Sequence, residues 1–355
     1  MSLRVLVFAG VSVLATVSPA IAESSATANG TLADIEEEFG VQPSMAKWSA
    51  TASGSLFYTD EVALFSATRR SGLDGDPSQP AEDFSRTGTG SDMVFEPDLR
   101  VSRLLTSSLG QTTLSIKAQG FLFAVNPEFS NASVTLDALH TFTPTTAVRL
   151  RYYTVPGELL GEIEEHRSGT DSLQDERVTS HIGSVRLDQH LSEHWEIQLF
   201  GRAGVRRFNE AFEQRDRTLL TIGPHLLWHV TDHSKFILGY HYERGLAEGR
   251  QQVQFEDDTS YVQHFASLGL EAELTEHLEL DLDVHYERLN FTSGIPGDEH
   301  NGAHVNVFLG TGRLLYHLTD HAGLTLSFQR AQLRSNVELP NDHNTNVSAG
   351  IFCSF

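Results

Sequence analysis

The stretch "LELDLDVHYE", Leu278 to Glu287, alternates apolar and polar residues without interruption. One parity carries Leu278, Leu280, Leu282, Val284 and Tyr286, and the other carries Glu279, Asp281, Asp283, His285 and Glu287. Successive side chains of a β-strand point to opposite faces of its sheet. The stretch therefore predicts a strand with one apolar face and one acidic face. What each face meets decides the fold and the function.

Segments of the same kind recur along the chain, separated by two alternating kinds of connection. The short kind is nearly repetitive: "LTSSLGQ", "FTPTTAV", "LSEHWEI", "VTDHSKF", "LTEHLEL" and "LTDHAGL", near residues 105, 142, 191, 230, 274 and 318. Ser, Thr and Asp close tight turns by bonding to their own backbone, so these six are predicted to be hairpin turns. The other connections, such as 71–92, 157–176 and 294–302, are mostly longer and richer in charge, Gly and Pro.

One strand on each side of every turn gives about fourteen strands, with twelve and sixteen as the alternatives. The predicted strands are 47–59, 93–106, 111–125, 131–142, 147–156, 177–191, 195–208, 216–230, 235–247, 259–274, 278–292, 303–318, 323–335 and 344–355. The twelfth fits neither register well and predicts a bulge near Gly310 to Gly312. Short turns on one side and long loops on the other are typical of outer-membrane barrels, whose short turns face the periplasm.

Aromatic residues support a lipid-facing exterior. Trp48, Trp195, Trp228, Tyr316 and Phe355 share the apolar parity and lie near the strand ends that carry the short turns. Tyr58, Tyr152, Tyr242 and Tyr286 lie farther along, toward the loops. Two aromatic bands at two depths are the girdles of a membrane barrel, where rings settle among the headgroups. The alternative, a secreted soluble β protein, gives no reason for such bands.

On these residues the chain resembles the bacterial outer-membrane β-barrel family, which includes the porins. The terminal "NVSAGIFCSF", ending in Phe355, is similar to the final strand that the barrel-assembly machinery recognises in that family. The resemblance implies an all-β, closed antiparallel transmembrane barrel in contact with outer-membrane lipids and lipopolysaccharide. It covers nearly the whole mature chain as a pattern and identifies no subfamily.

The first residues predict export. Residues 1–22, "MSLRVLVFAGVSVLATVSPAIA", have the charged start, apolar centre and A-x-A end of a cleaved signal peptide. Residues 23–46 are predicted to be a periplasmic segment with a short helix in "TLADIEEEFG", and 47–355 to be the barrel. The expected location is the bacterial outer membrane.

Composition excludes two further classes. The formal net charge of −22 argues against nucleic acid as a partner. Cys353 is the single cysteine of the sequence, so the chain has no internal disulfide framework. Stability is therefore expected to come from a continuous hydrogen-bonded scaffold.

The polar parity must line the interior of a closed barrel, and its charges are unevenly distributed. A basic wall is predicted from Arg100, Lys117, Arg149, Arg151, Arg186, Arg202 and Arg206, with Arg217 beyond them. The same strands carry a minority of inward acids, which are Asp98, Asp137, Asp188 and Glu196. An acidic wall is predicted from Glu243, Glu271, Glu273, Glu279, Asp281, Asp283 and Glu287, with no inward base on strands 9 to 11. In a ring of fourteen, strands 4 and 5 stand across from strands 11 and 12, so the walls are expected to face each other.

Two opposed charged walls predict a channel for small hydrophilic solutes or ions, because a transverse field orients what passes. One alternative is a plugged barrel in which the same charges only pair with one another. Others are an export barrel that works with periplasmic partners through residues 23–46, and a barrel lipase or protease. No ordered nucleophile motif is present, so no catalytic residue is expected.

Two weaker signals concern metal ions. His225 and His229, inward on strand 8, could face His241 on strand 9, but histidines beside carboxylates are more often wall residues, so neither a metal site nor a cofactor is expected. The loops carry many acids, which are candidates for divalent cations that bridge lipopolysaccharide; solvation is the alternative. These acids are Asp74, Asp76, Glu82, Asp83, Glu162, Glu164, Glu165, Asp171 and Asp175.

Overall fold

The computed structural model describes residues 48–62, 90–165, 172–336 and 343–355. Within these ranges fourteen antiparallel strands close into one barrel, each strand pairing with its neighbours in the chain. They are β1 Trp48–Thr59, β2 Asp92–Ser107, β3 Gly110–Phe123, β4 Asn131–Thr143, β5 Thr146–Glu165, β6 Ser172–His190, β7 Trp195–Phe208, β8 Arg217–Thr231, β9 Ser234–Ala247, β10 Tyr261–Thr275, β11 Leu278–Phe291, β12 His304–Thr319, β13 Ala322–Ser335 and β14 His343–Ser354. The predicted count is confirmed; the predicted signal peptide and the 23–46 segment lie outside the described residues.

The barrel closes where its first and last strands meet. β1 and β14 pair in continuous register from Thr51 opposite Ser354 to Thr59 opposite Asn346. Beyond that ladder, the backbone groups of Ala50 and Phe355 exchange hydrogen bonds of 3.1 and 2.8 Å. Closure leaves no strand edge exposed, as a barrel in hydrocarbon requires.

The six short turns share one hydrogen bond. In each, a Ser or Thr hydroxyl accepts from the backbone N–H two residues later, at 3.1 to 3.3 Å. The accepting residues are Ser107, Thr143, Ser192, Thr231, Thr275 and Thr319. This is the turn chemistry predicted from the repeated sequence.

The turn histidines add a second common bond. His194, His233, His277 and His321 each offer a backbone carbonyl to an amide near the short-turn end of the next hairpin, at 2.8 to 2.9 Å. These bonds link neighbouring hairpins at the rim that is expected to face the periplasm. The repeated histidine position therefore serves hairpin packing through its backbone.

The outer face of the barrel is apolar. On β11, Leu282 and Val284 are 44% and 55% exposed, whereas their neighbours Asp281 and Asp283 are buried. No helix of the described residues is long and apolar enough to cross a membrane. Exposed side chains such as these gain stability only against hydrocarbon, so the architecture is that of outer-membrane β-barrels.

Five predicted girdle residues, Trp48, Trp195, Trp228, Tyr316 and Phe355, lie exposed on this outer face. Trp195 and Trp228 stack with ring centroids 5.7 Å apart, and the Arg103 guanidinium lies 5.0 Å from the Trp48 ring. The ring stack on β7 and β8 and the separate ring–cation contact on β1 both suit the headgroup layer. Their role as a girdle stays a prediction.

Two local predictions are wrong, one about a loop and one about a bulge. Residues 157–176 were expected to form a loop, but β5 runs to Glu165 and β6 begins at Ser172, so most of this segment is a paired hairpin. Register shifts leave Pro156, Gly157 and Leu160 outside the ladder, and pairing resumes at Glu158 and again at Gly161. β12 holds a continuous register through Gly310 to Gly312, and its one irregularity lies between His317 and Thr319.

We predict that the lipid face rejects charge in a depth-dependent way. Val284→Arg, near the middle of β11, should lower the free energy of unfolding by about 2–4 kcal/mol in vesicles, because a guanidinium there meets hydrocarbon. Leu318→Arg, beside a short turn, should cost about 0–1 kcal/mol. Urea unfolding of both variants in lipid vesicles measures the difference. Equal costs would contradict a membrane-facing β11.

Candidate functional site

The charged residues predicted for the two walls lie on the inner face of the barrel. On β11, Asp281, Asp283 and Glu287 are each less than 9% exposed, while Leu282 and Tyr286 between them point outward. The same alternation holds on β7, where Arg202 and Arg206 are buried between outward residues. Glu273 differs, since its half-exposed carboxylate bonds to the turn residue His233 at 2.6 Å.

The acidic wall has its own cations. Lys235 of β9 lies 2.6 Å from Glu271, and Arg313 of β12 lies 3.2 Å from Asp281. His317 lies 2.7 Å from Glu279. The expectation that strands 9 to 11 carry no inward base is wrong. Lys235, the first residue of predicted strand 9, lies on the inward parity and is buried.

Carboxylates likewise accompany the basic wall. Lys117 lies 3.1 Å from Asp98, Arg186 lies 2.8 Å from Asp188, and Arg151 lies 3.2 Å from Asp137. Arg149 approaches the same Asp137 at 3.8 Å. Each partner is a near neighbour in the barrel wall. Local pairing thus offsets much of the charge that the sequence assigned to opposed walls.

A buried network fills one side of the interior. Arg202 of β7 reaches across to Glu243 of β9 at 2.6 Å, with both side chains almost fully buried. Thr221 donates to the same carboxylate oxygen at 2.5 Å, and the Tyr261 hydroxyl donates to the other oxygen at 2.6 Å. Three donors on one carboxylate offset the cost of burying it.

A stack of rings continues this filled side. His241 lies between Phe200 and Phe265, with ring centroids 5.0 and 5.4 Å away. Its Nε2 lies 2.7 Å from that of His225, and Phe265 contacts His285 at 4.9 Å. His225 and His241 therefore meet as the sequence suggested, but no group of three metal-ligating side chains forms among the described residues.

Apolar clusters occupy parts of the outer half of the interior, a feature that the sequence pattern did not predict. One buried cluster joins Phe57, Val62, Val94, Phe121, Phe123, Phe129 and Leu159 on the β1–β5 side. Two others join Tyr261, Leu289, Phe291, Ala303 and Val305, and Leu309, Ala331 and Leu333, on the β10–β13 side. A strictly polar inner parity was expected, but toward the loops these strands are apolar on their inner face as well.

Connections between strands fold into the outer end of the barrel. The Arg215 guanidinium, between β7 and β8, lies 2.9 Å from Glu176 and 2.7 Å from Asp257. Asp298, between β11 and β12, accepts from the backbone of Asp258 at 2.9 Å and from Ser293 at 2.5 Å. These contacts tie three connections together over the β6–β12 side.

Asp298 lies outside the membrane-spanning strands, and its environment favours the charged form. Burial alone would raise the pKa of this carboxyl, but hydrogen bonds from His300, Ser293 and two backbone amides outweigh it and lower the pKa. The contacts between these connections are therefore made by an ionised carboxylate at neutral pH. The stabilisation from these hydrogen bonds is fully present above the ordinary pKa of Asp and is lost as the pH falls through the lowered pKa of Asp298.

A cavity lies on the opposite side of the interior. It is lined by six small hydroxyl residues of β1, β13 and β14, by charged residues of β2 and β12, and by Ala52, Ile351 and Phe352. The lining includes Thr51, Ser53, Ser55, Glu96, Asp98, Arg313, Thr325, Ser327 and Ser348. Ser53, Ser55 and Ser327 are partly exposed there, whereas Glu196 and Gln263 on the filled side are fully buried. Short side chains leave this space because they cannot reach across the barrel.

Searches for a matching family model and for a curated relative found none. Solved structures with a similar fold include an anion-selective porin from Comamonas acidovorans (9% identity, 87% of this chain and 98% of that one, TM-score 0.43). Others are the outer membrane channel DcaP of Acinetobacter baumannii (8%, 87% and 96%, 0.47) and OmpT, an outer membrane protein of Vibrio cholerae (7%, 87% and 96%, 0.45). The likeness concerns the barrel alone and assigns neither subfamily nor solute.

We predict that the Arg202–Glu243 pair is a structural part of the filled side. Arg202→Leu should lower the free energy of unfolding by about 3–5 kcal/mol, because Glu243 then stays buried without its cation. Adding Glu243→Leu should recover most of that loss. Urea unfolding of the two single variants and the double variant forms the cycle. Additive losses would show that the two side chains do not depend on each other.

Proposed function

We propose that this barrel is an outer-membrane channel through which small hydrophilic solutes or ions diffuse. The observation that carries the proposal is the hydroxyl-lined cavity along β1, β13 and β14, bordered by Asp98 and Arg313. Hydroxyl groups exchange hydrogen bonds with water and with polar solutes at little cost. A membrane barrel has no structural need for partly exposed Ser and Thr beside a space, whereas a water path does.

The filled side explains why such a path would be narrow and off-centre. Arg202, Glu243 and the ring stack around His241 occupy the β7–β11 half of the cross-section. Fourteen strands would otherwise leave a wider lumen. Apolar clusters and inserted connections occupy much of the outer half. We therefore expect a small unit conductance and exclusion of large solutes.

The charged walls would tune selectivity. Among the described residues, the inner acids of β9–β11 outnumber their bases, whereas acids such as Asp92, Glu96 and Glu158 balance the bases on the inner face of β2–β8. The field would therefore come mainly from the acidic side. In the ring of fourteen, β4 is seven strands from β11. This order supports the expectation that Arg149 and Arg151 of adjacent β5 face Asp281 and Asp283. No chemistry on the solute is part of this proposal, and no residue is assigned a catalytic role.

The path itself can be tested by filling it. Ser53→Phe combined with Ser327→Phe should lower single-channel conductance several-fold in a planar bilayer, because two rings then occupy the cavity. The control is Ala349→Phe, which adds a ring to the outer face of β14. Unchanged conductance in the double variant, or no conductance in the wild type, would overturn the channel proposal. Hydrolysis of a lipid or a peptide by a non-conducting wild type would favour an enzyme.

The walls have a test of their own. Asp281→Asn with Asp283→Asn should lower the preference for cations, whereas Arg149→Gln with Arg151→Gln should raise it. Reversal potentials across a salt gradient measure both changes. Unchanged ion selectivity in both double variants, with conductance intact, would contradict the two charged walls. It would not affect the proposal of a hydroxyl-lined path.

A further inference from the structure

Arginines on the outer face of the barrel follow a pattern that the channel does not use. On three alternate strands an outward aromatic residue is followed, two positions nearer the loops, by an outward arginine. The pairs are Tyr242–Arg244 on β9, Tyr286–Arg288 on β11 and Phe328–Arg330 on β13, and Arg334 follows on β13. All four arginines are exposed. We call Arg244, Arg288, Arg330 and Arg334 the outer arginine patch.

Within the patch, Arg244 and Arg288 lie at the headgroup level expected for the outer leaflet, and Arg334 stands in the same register row as Arg288. Tyr242 and Tyr286 belong to the upper aromatic band, and an arginine one pleat beyond them lies just above the hydrocarbon. Arg334 is oriented by a neighbour, since its guanidinium lies 5.7 Å from the Phe308 ring. Long cationic side chains at this depth extend their charged ends to the polar layer.

Pairing separates these arginines from those inside the barrel. Inner cations such as Lys117, Arg186 and Lys235 lie within 3.1 Å of a carboxylate. In the described part of the chain, no carboxylate forms an ion pair with any member of the outer arginine patch. Arg288 donates to the Asn290 side chain at 3.1 Å, and Arg330 donates to Thr345. The described residues therefore supply no carboxylate as their counter-charge.

The register brings two members of the patch within reach of one anion. Arg288 stands directly opposite Asn306, and Asn306 stands opposite Arg334 on the next strand. Strand spacing therefore places the two arginine Cα atoms roughly 10 Å apart, and both side chains can converge on a group between them. A phosphate fits this geometry, because guanidinium groups bind its oxygens through paired hydrogen bonds.

We propose that the outer arginine patch binds the phosphate groups of a lipopolysaccharide molecule in the outer leaflet. Charge complementarity and depth favour this occupant: a phosphorylated glycolipid places acyl chains against the apolar wall and its phosphates at the height of Arg288 and Arg334. A second copy of the chain would instead bring the same uncompensated arginines together.

The test uses the full folded protein in detergent micelles, with purified lipopolysaccharide as the probe and its Kd as the readout. Arg288→Gln with Arg334→Gln should weaken binding about 30-fold, because two cations near the phosphates are lost. The matched control is Arg177→Gln with Arg207→Gln, which removes two arginines from the same end of the barrel that already pair with Asp175 and Asp216. The control should bind as the wild type does.

Three further arms define the ligand. Arg288→Lys with Arg334→Lys keeps the charge and should retain most of the affinity, which also guards against loss through misfolding. The wild type should bind enzymatically dephosphorylated lipopolysaccharide weakly, with the same Kd that the glutamine variant has for intact lipopolysaccharide. Inorganic phosphate at equal concentration should not displace intact lipopolysaccharide from the wild type. Equal affinities for the glutamine variant and wild type, or for the two forms of the lipid, would overturn the proposal. The proposal would also be overturned if the wild type formed an oligomer, the glutamine variant did not, and both bound lipopolysaccharide with the same affinity.

Discussion

Hydrocarbon offers no hydrogen bonds to a backbone, and the rest of this structure follows from that constraint. Every strand must find partners on both sides, so the chain can end its sheet only by joining β1 to β14. Closure then sends alternate side chains inward whatever their chemistry. The interior therefore contains acidic, basic, aromatic and aliphatic side chains together, and these must pack against one another and pair their charges. The ion pairs and ring stacks are the result of that enclosure.

The interior is divided by side-chain length. β7 to β11 contribute Arg202, Glu243 and the rings around His241, which reach across the barrel and meet. β1, β13 and β14 contribute Ser and Thr, which do not. A barrel with long inner side chains all around would be a solid core, and one with short side chains all around would be a wide pore. The mixture gives a supported wall on one side and a space on the other.

Strand number, inner and outer parity, and turn chemistry were predictable because each is local. Alternation sets parity, and a Ser or Thr hydroxyl two residues before an amide sets the turn. The misses depended on distance. Pro156 and Gly157 read as loop because the sequence does not show that a register shift leaves them outside a ladder that continues beyond them. The pairing of Lys235 with Glu271 was missed because the two residues are on different strands. The apolar clusters of the outer half were missed because inner Phe and Leu residues do not alternate with polar ones in the sequence.

Charge is handled differently on the two faces, and the difference bears on how the barrel sits in its membrane. Inside, low dielectric makes an isolated charge costly, so Arg202 and Lys235 each have a carboxylate at 2.6 Å. Outside, the headgroup layer supplies both water and anions, and Arg288 and Arg334 form no ion pair with a carboxylate of the described residues. For a chain of net charge −22, which an anionic leaflet would repel, exposed arginines on the outer face offer the leaflet a point of attraction. In the proposed complex, the position of these arginines sets the height of the barrel as well as the face that a phosphorylated lipid would meet.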